Sequence, residues 1–255
     1  MQTKAPQIGF DRFIRLDWAA AALRVRAGAA DIGDLDQILT EAHAGPEAKK
    51  KTRTVLNRLW LEPREEVAGL ADRGVEIFRR VPDAQIAVLT WGMALAVYPF
   101  FAKIAEIVGR LTSIQGDCTT AEVHRRMAEI YGEREGTRRM TNMVLQSQVD
   151  WSLLSKSDNG KTLTRKPPRA VQSPETVQWL SEALLMHVGR PLSLDGLASQ
   201  PTMFPFSLGD NLGYVLSSSD ALEARADSAG RNVSTTLRQW HLDFRLDFPP
   251  LSLVG

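Results

Sequence analysis

From Phe10 to Gly116 apolar residues recur at intervals of three and four, with proline or glycine between the groups. Phe13, Leu16, Ala20 and Leu23 share one helical face; so do Val55, Leu56, Leu59 and Trp60, and again Ile104, Ile107, Val108 and Leu111. A helix returns a side chain to the same face after three or four residues, so each group predicts an amphipathic helix. Breaks fall at Gly28 to Gly33, Gly45-Pro46, Glu62-Pro63, Val81-Pro82 and Tyr98-Pro99. Proline is tolerated in the first helical turn, where its missing N–H is not needed, so each proline predicts the opening of the next helix. Residues 1–98 are therefore expected to form a helical bundle. The most apolar stretch, Ile86 to Phe101, falls short of the roughly 20 residues that cross a bilayer and is interrupted by Gly92 and Pro99. It predicts a buried helix, and no membrane span is expected.

The pattern becomes more specific after Gly116. Thr119-Thr120-Ala121-Glu122 is a capping box, opening a helix with Val123, Met127, Ile130 and Tyr131 on its buried stripe. Gly132 ends that helix, a turn follows from Glu133 to Gly136, and a longer helix is predicted from about Thr137 to Leu154. Next, Asn159-Gly160 lies between two short segments that can pair as strands, the signature of a hairpin with a type I′ turn. With the helix from Pro99 to Ile114 in first place, the order over residues 99–169 is that of a winged helix-turn-helix. On the long helix, Met140, Met143, Val144, Ser147, Trp151 and Leu154 are the expected core stripe. Arg134, Arg138 and Asn142 lie opposite, flanked by Thr141 and Gln146. Leu145 and Val149 share that far side, which predicts that another element covers the helix's second half.

Residues 170–255 are expected to form a smaller C-terminal α+β domain. Ser173 caps a helix that starts at Pro174 and buries Val177, Leu180, Leu184 and Leu185. Shorter helices are predicted at Ser193 to Ser199 and Leu208 to Ser217, and strands at Ala221 to Ala226 and Asn232 to Leu237 around a turn at Ser228 to Gly230. This order resembles a second, degenerate winged helix. Trp240 to Leu253 is expected to pack on the bundle as strand or coil. The fold class is thus mainly α, a helical bundle followed by a winged helix-turn-helix and the C-terminal domain.

Composition adds two constraints. A hydrophobic share of 44% supports packed cores, and a single cysteine cannot form an internal disulfide, which fits a reducing compartment such as the cytoplasm. The residues from Met1 to Phe10 contain no apolar segment of the signal-peptide kind. The net charge of +1 weighs against a polyanionic partner only if it is evenly spread, and it is not. Residues 119–169 hold ten Lys and Arg against six Asp and Glu, whereas residues 170–255 hold five against nine. A basic middle is joined to an acidic tail.

That distribution makes double-stranded DNA the expected partner. Arg134, Arg138, Thr141 and Asn142 are candidates to read a groove, since Arg suits guanine and Asn suits adenine. Lys156, Lys161, Arg165 and Lys166 are candidates to hold phosphates from the hairpin. Lys49, Lys50 and Lys51 oppose the dipole of the helix that they open, which suggests a further phosphate contact beside the plainer reading of a solvated face.

Signatures of catalysis are missing. Gly160-Lys161-Thr162 resembles the end of a phosphate-binding loop, but Ser155 stands where the motif requires glycine. Glu47-Ala48-Lys49 has a nuclease-like spacing, yet it follows Pro46 into a helix where such residues belong on a strand. His43, His124, His187 and His241 are far apart, and with Cys118 alone they show no zinc spacing. Cys118, just before a helix N-terminus, is placed for a lowered pKa but has no recognisable partner base. No enzyme activity, cofactor or metal is expected.

Three stretches carry a family resemblance. The run Lys51-Thr52-Arg53-Thr54-Val55-Leu56-Asn57-Arg58-Leu59-Trp60, the segment around Trp91-Gly92 and Tyr98-Pro99-Phe100-Phe101, and the helix-turn-helix ending in Val149-Asp150-Trp151 together resemble the BrxA-like family of BREX phage-defence systems. The resemblance covers about Phe10 to Leu154 and rests on apolar and basic patterns. It implies a mostly helical bacterial protein that binds DNA without catalysis, alongside other defence-system proteins. The chain continues about a hundred residues further with its acidic segment. Two other functions fit the same residues: a scaffold that docks onto a larger defence enzyme, for which exposed Leu145 and Val149 would speak, and a transcriptional regulator.

Overall fold

The computed structural model describes residues 9–43, 45–81, 85–227 and 230–235. The expectations for Leu237 and for Trp240 to Leu253 lie outside the described residues. Eleven α-helices and eight short strands occur among those described, so the protein is mainly α.

Six helices come first: α1 (Leu16–Arg26), α2 (Ile32–Ala42), α3 (Pro46–Leu56), α4 (Glu65–Arg80), α5 (Ile86–Val97) and α6 (Pro99–Gln115). Helix α3 runs on into a π-helical turn, Asn57–Leu61. Every residue of α5 from Ile86 to Ala96 is buried, as an all-apolar helix requires. Tyr98 is extended and Pro99 opens α6, which turns the chain by 114° between α5 and α6. Among the described residues no single helix is long and apolar enough to cross a membrane.

The next segment holds β1 (Asp117–Thr119), α7 (Thr120–Tyr131), α8 (Glu135–Asp150), β2 (Leu154–Lys156) and β3 (Thr162–Arg165). The capping box forms as expected: Thr119 Oγ1 accepts from the Glu122 N–H at 3.1 Å, and a Glu122 carboxylate oxygen accepts from the Thr119 N–H at 2.8 Å. The three strands make an antiparallel sheet in the order β1-β3-β2, with Leu163 of β3 opposite Cys118 on one side and Lys156 on the other. The hairpin therefore exists, but its turn is not the two-residue type I′. Five residues, 157–161, connect the strands, and only Gly160, at φ +68°, has a left-handed backbone there. Asn159 spends its side chain instead, accepting from Ser157 Oγ at 2.7 Å and from the Lys161 N–H at 3.0 Å.

The remainder comprises β4 (Arg169–Ala170), α9 (Pro174–Val188), β5 (Leu192–Ser193), α10 (Leu194–Ala198), β6 (Phe206–Ser207), α11 (Leu212–Ser217), β7 (Leu222–Asp227) and β8 (Gly230–Thr235). Strand β4 pairs with β6 in parallel, and β5, β8 and β7 form a second antiparallel sheet in that order. Helix, short strand, two helices and a hairpin whose second strand lies in the middle of the sheet thus occur twice along the chain.

The expected boundary after residue 98 falls between α5 and α6, whereas the one after residue 169 cuts β4, and the apolar core runs through both. Helix α9 packs on α4 and α5, where Gly74 and Gly92 leave room for the Trp179 ring and the Trp179 indole N–H donates to the Leu70 carbonyl at 2.8 Å. The Trp91 indole donates to the Thr202 carbonyl at 3.1 Å, and Phe204 and Phe206 meet its ring edge-on. On α6, Gly109 lets the Pro201 carbonyl come so close that a Cβ would lie 2.0 Å from it.

Candidate functional site

Helix α8 is rotated relative to its expected orientation. The centre of its buried face carries Thr137, Thr141, Val144 and Gln148, with Leu145 and Trp151 beside them, while Met140 and Met143 are only half-buried. Thr141 is completely buried and its hydroxyl donates to the Thr137 carbonyl at 2.8 Å, so it cannot reach a groove. Val144, Ser147, Trp151 and Leu154 of the expected stripe are buried, but apolar spacing misplaced its centre because Thr137, Thr141 and Gln148, which are polar, are buried too. Leu154, expected on the helix, opens β2 instead, after Ser152 reverses the backbone at φ +57°.

The second half of α8 is covered, as Leu145 and Val149 suggested: Leu145 is buried and Val149 packs on the core. The chain just before α1 lies along this half. The Ile14 N–H donates to Ser147 Oγ at 2.9 Å, the Leu16 N–H to Asp150 at 2.7 Å, and the Trp151 indole to the Ile14 carbonyl at 2.9 Å. Leu145 is therefore unavailable as a docking contact.

What remains open is the first half. There Arg134, Arg138 and Arg139 are exposed and Asn142 is half-buried; Gln146, also exposed, lies further along, in the second half. Arg134 is the N-cap residue of α8, and Arg138, Arg139, Asn142 and Gln146 project from the helix body. Arg139 belongs to this face although the expected stripe left it out; its exposure follows from the rotation of the helix. Asn142 is not free to turn: its Oδ1 meets His124 Nε2 of α7 at 3.0 Å. Burial lowers the His124 pKa below its ordinary value; the Asn142 hydrogen bond opposes this, and the cations of Arg138 and Lys156 add to it. These causes place a helix α8 arginine and a hairpin lysine around one neutral imidazole, joining α7, α8 and the hairpin.

The hairpin residues divide. Lys161 is exposed in the turn and Lys156 half-buried on β2, near Gly160. Arg165 sits at the base, where it lines a crevice of about 200 Å³ with Gly109, Ser113, Gln200, Pro201 and Phe204. It faces the following segment and not the hairpin tip. Lys166 is half-buried beyond the end of β3. Lys49, Lys50 and Lys51 lie on α3, which packs on α1, α2 and the turn at 57–61, and Lys49 donates to Thr40 Oγ1 of α2 at 2.8 Å.

Cys118 is not activated. Burial raises its thiol to about 12, and the carboxylates of Glu122 and Asp117 push in the same direction. Among the described residues no group of three or more His, Cys, Asp or Glu could hold a metal ion. Compared with protein-family models, curated proteins and solved structures, the chain matches none.

Proposed function

We propose that residues 99–169 are a winged helix-turn-helix module that binds double-stranded DNA, in a non-enzymatic cytoplasmic accessory protein of a bacterial phage-defence system. The defence setting rests on the resemblance to BrxA-like proteins. The DNA reading is carried by one observation: the open half of α8 presents Arg134, Arg138, Arg139 and Asn142 beside a hairpin that bears Lys156 and Lys161. Arginine and amide side chains on the leading half of a helix are suited to base edges, and lysines on an adjoining hairpin to phosphates.

Duplex affinity measured against salt concentration tests this. Each phosphate contact releases counterions, so log affinity falls linearly with log salt, at about 0.9 per contact. Wild type is expected to bind at low salt, and Lys156→Glu with Lys161→Glu to bind more weakly and with a shallower slope. No binding at low salt, or equal slopes, would sink the reading.

A docking role draws on a separate observation. Tyr214 on α11 is 81% exposed, in a segment where Asp210 and Asp220 stand on either side in sequence. A complex with a larger defence protein that survives nuclease treatment and is lost in Tyr214→Ser supports that role.

A further inference from the structure

Between α7 and the first turn of α8 lies an open cleft of about 630 Å³. No side chain caps the first turn of α8. The N–H groups of an uncapped turn carry the positive end of the helix dipole and favour an anion. Arg134 and Arg138 line the cleft, and neither makes an ion pair among the described residues. Thr137 lines it as well; it is only 3% exposed, and its Oγ1 has no hydrogen-bond partner. A buried hydroxyl left without a partner is destabilising, and a ligand, ion or water beside it can complete the bonding.

The acids around the cleft limit what it can hold. Glu129 is engaged by Arg125 at 2.6 Å, but Glu133 and Glu135 also line the space. Three glutamates thus match the three arginines of the lining, Arg125, Arg134 and Arg138, so the side-chain charges cancel and the pull on an anion comes from the helix N-terminus, which suits one anionic group and not a run of them.

We propose that this cleft binds a single phosphate group, with Thr137 Oγ1 and the first-turn N–H groups of α8 as donors and Arg134 and Arg138 as counter-charges. A backbone phosphodiester and a free phosphate share this chemistry. The choice between them rests on the DNA reading above, which makes the occupant a backbone phosphate that sets how far α8 enters a groove.

The test uses the full chain and inorganic phosphate, titrated at constant ionic strength and followed through backbone amide NMR shifts. The signals of Glu135, Gly136 and Thr137 are expected to move and saturate, while those of Lys156 and Lys161 stay in place. Thr137→Val keeps the side-chain shape and removes the donor. It is expected to leave the melting temperature unchanged or slightly raised and to weaken phosphate and duplex binding about tenfold, the loss of one hydrogen bond to a charged group. Thr137→Ser is expected to restore both. Phosphate shifts that Thr137→Val leaves unaltered overturn the proposal. So does the absence of shifts together with equal duplex affinity for wild type and Thr137→Val, and in that case the DNA reading survives. Absent shifts with a weakened duplex in Thr137→Val uphold the site for backbone phosphate alone. Saturable shifts lost in Thr137→Val, in a chain that binds no duplex, uphold the cleft for free phosphate and overturn the DNA reading instead.

Discussion

Single residues decide whether the open face of α8 can work, and polarity alone misplaces several of them. Thr141 carries a groove-reading type of side chain, yet its hydroxyl serves the helix backbone. Arg139 looks like one more solvated charge, yet it stands on the exposed face with Arg138. The difference is rotation about the helix axis, which three buried polar residues hide from any hydrophobic count. Histidines are sorted in the same way. Burial lowers the His187 imidazole to about 4, with Lys103 reinforcing and Glu106 opposing. The unfolded chain has the ordinary value near 6.5. As pH falls from about 6.5 toward 4, the unfolded state takes up a proton that the folded state refuses, so stability drops through that window and is unaffected above it. Melting temperatures taken from pH 7.5 to 4.5 are expected to fall more steeply for wild type than for His187→Leu.

Among the elements, the hairpin shows how a correct sequence signal can be realised by a different geometry. Asn-Gly predicts two residues with positive φ, whereas Asn159 keeps a negative φ and braces a five-residue turn through its side chain. Gly160 alone bears the left-handed backbone, where a Cβ costs about 1 kcal/mol. Gly160→Ala is expected to lower stability by about that amount in urea unfolding, with Gly160→Asn losing less, because asparagine tolerates this conformation better. Since this turn carries Lys161, the same variant is also expected to weaken any contact made by the hairpin tip. Helix α5 is the opposite case: its uniform apolarity predicted burial, and packing against α1, α4, α6 and α9 supplies it.

Across the whole molecule, the two acidic and basic segments that charge counting separates share one core. Trp179 of α9 fills the space that Gly92 of α5 leaves, and a Cβ at residue 92 would stand 2.3 Å from its ring. Overpacking of this kind costs about 1–3 kcal/mol. Gly92→Ala is expected to lower a single melting transition, seen alike by far-UV circular dichroism and tryptophan fluorescence. Two transitions, with only one shifted, would show instead that residues 170–255 unfold on their own.

Local rules were enough to determine much of this protein. Helix starts at Pro46, Pro99 and Pro174, the capping box at Thr119 and the burial of α5 depend on interactions within a few residues, and all were legible in the sequence. So was the uneven spread of charge. Tertiary structure alone decided which side of α8 is open, because packing on α6, α7 and β2 buries Thr137, Thr141 and Gln148, which polarity places outside. It also decided that α9 and the bundle share a core, since that depends on a tryptophan and a glycine 87 positions apart, Trp179 and Gly92, meeting across two helices. The cleft beside Thr137 belongs to the same class. A missing hydrogen-bond partner is a property of everything that surrounds a side chain, and no spacing along the chain records it.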